Sequence, residues 1–97
     1  MAAITVHNPQ SMTVEHSVTP AARKPDLDGA TIGLYWNMKA GGDAALDRTE
    51  QLLRERYPGA RFRRYTGSVG FLMRHCTAED ADRMASEVQA VVGTTND

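Results

Sequence analysis

The stretch Ala30-Thr31-Ile32-Gly33-Leu34-Tyr35-Trp36, broken at Asn37-Met38-Lys39-Ala40-Gly41-Gly42-Asp43, decides how this chain is read. Its first part is a near-continuous apolar, β-prone run with no polar alternation, the mark of a strand covered on both faces, as in a parallel sheet. The break holds glycines and a carboxylate, and Asp43 stands where a helix cap would stand. Beyond it, Leu46, Thr49, Leu52, Leu53 and Arg56/Tyr57 recur at three- and four-residue spacing. That spacing predicts a helix with one apolar face, stopped by Pro58-Gly59.

Outward toward the C-terminus, Arg61-Phe62-Arg63-Arg64-Tyr65-Thr66 reads as a second strand, polar enough for a sheet edge or a place under a partner. Thr77-Ala78-Glu79-Asp80 opens a second helix, its hydroxyl and carboxylate placed to satisfy free amides. Ala81, Met84, Ala85 and Val88 form the expected buried stripe, and Ala90-Val91-Val92-Gly93-Thr94-Thr95 a third strand. The order predicts an α/β fold over residues 29–97: a three-stranded parallel βαβαβ unit, half of a Rossmann- or flavodoxin-like sheet.

Toward the N-terminus the pattern dissolves. Residues 1–28 show no sustained period, and Pro9, Pro20 and Pro25 remove amide donors and bias their neighbours away from helix. Only Ile4-Thr5-Val6 suggests a short strand. This is an extended N-terminal arm: a mobile tail, or, given its lack of core potential, a segment that lies against a partner subunit.

Composition sets the outer bounds. The 97 residues carry 11 Lys+Arg and 12 Asp+Glu for a formal charge of -1, so no global basic field recruits nucleic acid. One cysteine excludes an internal disulfide framework and a zinc site of the CxxC type, and no metal or cofactor is expected. No apolar run is long enough for a membrane span, and the N-terminus lacks the form of a secretory signal, so a cytoplasmic protein is expected. The α/β part is too small to cover both faces and both edges of a parallel sheet, which makes oligomerisation an expectation.

In open parallel sheets ligands bind beyond the carboxyl ends of the strands. Substrate-binding candidates are therefore Asn37, Lys39, Gly41 and Gly42 after the first strand, and Thr94, Thr95 and Asn96 after the third. Free amides, a helix start and Lys39 would favour an anion there, although a plain strand-to-helix turn needs no ligand. His75, in the loop after the second strand, and Asp97 are the catalytic candidates. Cys76 reads as a packed core residue rather than a nucleophile. In the loop Gly67-Ser68-Val69-Gly70-Phe71-Leu72-Met73-Arg74-His75, the apolar residues either pack under the second helix or form a subunit contact. Arg54, Arg56, Arg61, Arg63 and Arg64, interleaved with Tyr57, Phe62 and Tyr65, could grip nucleic-acid phosphates, but Arg in an acidic chain fits ion pairs and protein interfaces better.

The segment Leu27-Asp28-Gly29-Ala30-Thr31-Ile32-Gly33-Leu34, the loop from Asn37 to Asp43 and the ending Ala90-Val91-Val92-Gly93-Thr94-Thr95-Asn96-Asp97 resemble the N-terminal half of the UGSC-motif (seleno)protein family. In that family a similar strand ending in an acidic residue runs into selenocysteine- or cysteine-Gly-Ser-Cys. The family is similar in turn to the substrate-processing component of glycine, sarcosine and betaine reductases, whose nucleophile is a selenol or thiol. The resemblance implies a small, non-nucleophilic subunit of a heteromeric thiol-dependent enzyme, with carbon–heteroatom bond cleavage or addition–elimination as its chemistry. The sequence stops before that motif, so either the chain is a fragment or the family's single polypeptide is split in two. The start at Met1 and the arm fit a split enzyme, whose larger subunit would carry the Cys-Gly-Ser-Cys-like segment and whose substrate would be a small molecule. The competing class is a non-enzymatic, self-oligomerising binding or regulatory module.

Overall fold

A computed structural model describes residues 2–71 and 74–94. Its elements follow in the order β1 (Thr31–Trp36), α1 (Gly42–Arg56), β2 (Arg61–Thr66), α2 (Ala78–Glu87) and β3 (Ala90–Thr94). All three strands are parallel in the order β2-β1-β3, with Ile32 opposite Phe62 on one side and Ala90 on the other. The α/β expectation is met, and the order refines it. With β1 in the middle, the second connection crosses over it, which matches the start of the flavodoxin-like order rather than the sequential Rossmann half.

Two connections of the same hand that run in opposite directions must place their helices on opposite faces. On one face α1 buries Leu46 against Ile32, Leu34 and Ala60, with Trp36, Leu53, Phe62 and Val92 around them. On the other, Met84 of α2 and Val88, the residue that caps its C-terminus, pack on Tyr65 and Tyr35. Gly33 leaves room for that second layer, because a Cβ there would meet the Tyr65 ring at 3.0 Å. Asp28 fixes the entry to β1 by accepting from the Gly59 amide at 2.7 Å.

Four local expectations need correction. Ile4-Thr5-Val6 forms no strand, and the arm from residue 2 to residue 26 is exposed and without regular structure. The cap of α1 is Gly41 in the left-handed region (φ 91), without a side-chain bond; Asp43 lies in the first turn, where its charge still suits the helix dipole. Ala81 and Ala85 are exposed, because α2 turns Asp80, Met84 and Val88 inward instead. Leu52, counted in the apolar face of α1, is 47% exposed. The Thr77 cap forms as expected: its side chain accepts from the Asp80 amide at 3.1 Å, and Asp80 accepts in return from the Thr77 amide.

Candidate functional site

The carboxyl ends of β1 and β3 meet where the strand order reverses, the usual position of a ligand crevice. Several hydrogen bonds within the loop after β1 join its own residues. Asn37 is buried, and its Oδ1 accepts from the Lys39 amide two residues on, an Asx turn. The Trp36 indole donates to the Lys39 carbonyl at 2.7 Å, and the Gly42 amide donates to the same oxygen. Met38 sits at φ 70, an uncommon conformation for a residue with a side chain. Thr94 ties β3 to this loop through Oγ1, which donates to the Gly42 carbonyl at 3.2 Å. Gly42 is required by packing: a Cβ there would lie 2.8 Å from the Trp36 ring and 2.9 Å from the Thr94 hydroxyl.

The loop after β2 leans on the same strand end. The Arg74 amide donates to the Asn37 carbonyl at 2.9 Å, and the Tyr35 hydroxyl donates to the Arg74 carbonyl at 3.0 Å. Gly67 is buried so closely against the His75 carbonyl that no side chain fits. At the base of the loop, the buried Asp80 carboxylate accepts from the Ser68 amide, the Ser68 hydroxyl and the Thr77 amide at 2.9–3.1 Å. Those bonds, the Ser68 amide first, hold its carboxyl well below the usual carboxylate range. On the α1 side, an open cavity of about 430 Å³ lies between Asp43, Asp47, Leu34, Trp36 and Thr66.

Most of the arginine cluster is engaged within the chain. Arg64 bridges Asp47 at 2.9 Å and Glu50 at 2.8 Å, which lowers the Glu50 pKa, the hydrogen bond from Arg64 being the main cause. Arg63 pairs with Glu87, Arg54 pairs with Glu50 and stacks on Phe62, and Arg56 lies over Tyr57. Guanidiniums committed in this way leave little free charge for a phosphate backbone.

Of the predicted substrate-binding residues, the structure brings Asn37, Lys39, Gly41, Gly42 and Thr94 into one neighbourhood. Thr95, Asn96 and the catalytic candidate Asp97 lie outside the described residues, as do Leu72 and Met73. His75 is exposed and pairs with Val69 in an isolated antiparallel bridge. Cys76 is exposed rather than packed, one residue before the Thr77 cap of α2. Among the described residues no group of acidic, His and Cys side chains could hold a metal ion, and no helix is long and apolar enough to cross a membrane.

Sequence reasoning missed Tyr35, Ser68 and Arg74. Their roles come from contacts between segments far apart in sequence, which periodicity does not register. The glycines that bracket Ser68 and the Arg74-His75 pair were the only local signals.

Parallel strands wound on both sides of β1, with loops converging at a reversal of strand order, define a flavodoxin-like half-domain. Compared with known families, the chain matches the UGSC family over residues 5–97, and it belongs to that family. The match reaches back into the arm, well before the Leu27 boundary of the sequence resemblance. No curated protein and no solved structure matches the chain.

Proposed function

We propose that this chain is the non-nucleophilic subunit of a heteromeric, thiol-dependent UGSC-type enzyme. It supplies half of the sheet and one wall of the crevice. A larger subunit supplies the Cys- or selenocysteine-Gly-Ser-Cys-like segment that attacks an electrophilic carbon of a small-molecule substrate. The cysteine of these residues, Cys76, is exposed and is followed by Thr77-Ala78 rather than Gly-Ser-Cys, which supports a nucleophile supplied from elsewhere.

The observation that carries this reading is the contrast between the two edges of the sheet. The β2 edge presents Arg61, Arg63 and Arg64, charges that discourage strand addition. The β3 edge, Ala90-Val91-Val92-Gly93-Thr94, carries no charge, and its outer side is unpaired among the described residues. In a flavodoxin-like order the next strand lies beside β3, so this is the edge a partner completes. The exposed Phe71 and the arm, with Ile4, Val6, Met12, Val14 and Val18 all exposed, extend the contact surface. A cytoplasmic setting, which keeps thiols reduced, suits this chemistry.

Turnover of the assembled complex tests the assignment. Cys76→Ser is expected to leave activity nearly intact, whereas replacing the partner's motif cysteines abolishes it. Changes at Asn37, Lys39, Thr95, Asn96 and Asp97 are expected to lower turnover without dissociating the complex, since they orient substrate rather than react with it. Loss of chemistry in Cys76→Ser with the partner's cysteines dispensable contradicts the proposal.

A further inference from the structure

A second open cavity of about 430 Å³ lies on the α2 side of the sheet, at the carboxyl end of β2. Arg63, Arg74, Arg83, Tyr65, Ser68 and Glu87 line it. Its charges are unequally matched. Glu87 is the only carboxylate on the lining, and its Oε2 already takes the Tyr65 hydroxyl at 2.6 Å and Arg63 at 3.2 Å. Arg83 reaches Asp80 Oδ1 only at 3.5 Å, long for a charge-assisted bond, while Ser68 and Thr77 bond the other oxygen, Oδ2. Arg64 also borders the cavity but is committed to Asp47 and Glu50 on the opposite face.

Arg74 has no such partner among the described residues. Its Nε is buried and makes no hydrogen bond among the described residues. A buried donor left without an acceptor is rare in folded proteins and marks Arg74 as a guanidinium that the described residues do not satisfy. Its backbone is fixed from two sides, by the Tyr35 hydroxyl and the Asn37 carbonyl, so the side chain starts from a defined place beside the cavity. Arg63 and Arg83 each lie 5.9 Å from the centre of the Tyr65 ring, which holds both beside the same cavity.

We infer that this cavity is an oxyanion-binding site, in which Arg74, flanked by Arg63 and Arg83, receives the carboxylate or phosphate group of a small ligand. A guanidinium also carries two Nη groups side by side, and their N–H donors match two oxygens of one anionic group. The Arg74 amide also bonds the loop after β1, so a ligand anchored here extends toward the strand-end crevice. Every residue of the site belongs to this chain, so the inference stands independently of the proposed partner.

Isothermal titration calorimetry of the full chain with inorganic phosphate and, separately, succinate, at constant ionic strength, tests it. Saturable binding of at least one ion is expected, and the tighter of the two identifies the anionic group as phosphate or carboxylate. Arg74→Gln is expected to weaken binding by about tenfold or more, and Arg48→Gln, on the exposed face of α1, to leave it unchanged. Absence of saturable binding by both ions, or unchanged affinity in a folded Arg74→Gln, overturns the site. Should that variant fail to fold by circular dichroism, Arg83→Gln carries the same decision.

Discussion

Asp80 illustrates how one side chain joins stability to the site loop. Its carboxylate caps α2 and holds Ser68 at the start of the loop that delivers Arg74. Because its folded pKa lies below the ordinary value, its contribution is present above a pH of about 3.9 and is lost as pH falls below that toward the folded value. Acid unfolding followed by far-ultraviolet circular dichroism is therefore expected to be steeper in the native chain than in Asp80→Asn, which starts less stable at neutral pH. Thr77→Ala removes the reciprocal cap bond and is expected to cost about 1 kcal/mol in denaturant unfolding. Gly42→Ala forces a methyl against Trp36 and Thr94, an overpacking cost of about 1–3 kcal/mol that should appear as a lowered Tm. Cys76 is expected to react with a thiol reagent in the native chain without denaturant, as its exposure requires.

At the scale of elements, strands and helices were legible because their signals are local. The apolar run of β1, the spacing of Leu46 and Leu53, the Pro58-Gly59 stop and the Thr77 cap each act within a turn or two of chain. Strand order was not legible, because periodicity says nothing of which neighbour a strand chooses. The inward face of α2 was misjudged for a related reason. The apolar stripe included Ala81 and Ala85, whereas the structure buries Asp80, whose carboxylate is satisfied by Ser68. The site was half legible: the loop after β1 stood out through its glycines, whereas Arg74 gains meaning only when Asn37 and Tyr35 are brought beside it. The arm is the element whose role is most open to experiment. Deleting the residues before Leu27 is expected to weaken subunit association while the circular-dichroism spectrum of the core stays nearly unchanged, since that segment adds no regular structure. Unaltered association would return the arm to a solvated tail.

As a whole molecule, the chain exposes more surface than its mass warrants. Its accessible area is 7906 Å², where a compact monomer of 10.6 kDa exposes about 5,500 Å². Its radius of gyration is 19.2 Å against about 12–13 Å for a compact chain of this length. The excess belongs to the arm, whose apolar side chains stand in solvent alongside the uncharged β3 edge. Alone, the chain is expected to self-associate, which sedimentation velocity will show as species larger than a monomer. The central claim, that a Cys-Gly-Ser-Cys-bearing subunit completes this sheet, is tested most directly by hydrogen–deuterium exchange across β3. The chain is measured alone and after co-expression with a candidate subunit that carries such a motif. The account predicts a stable heteromer in which the Ala90–Thr94 amides and the arm become protected. Failure to form a complex, or a complex that leaves β3 exchanging as fast as in the free chain, would contradict it.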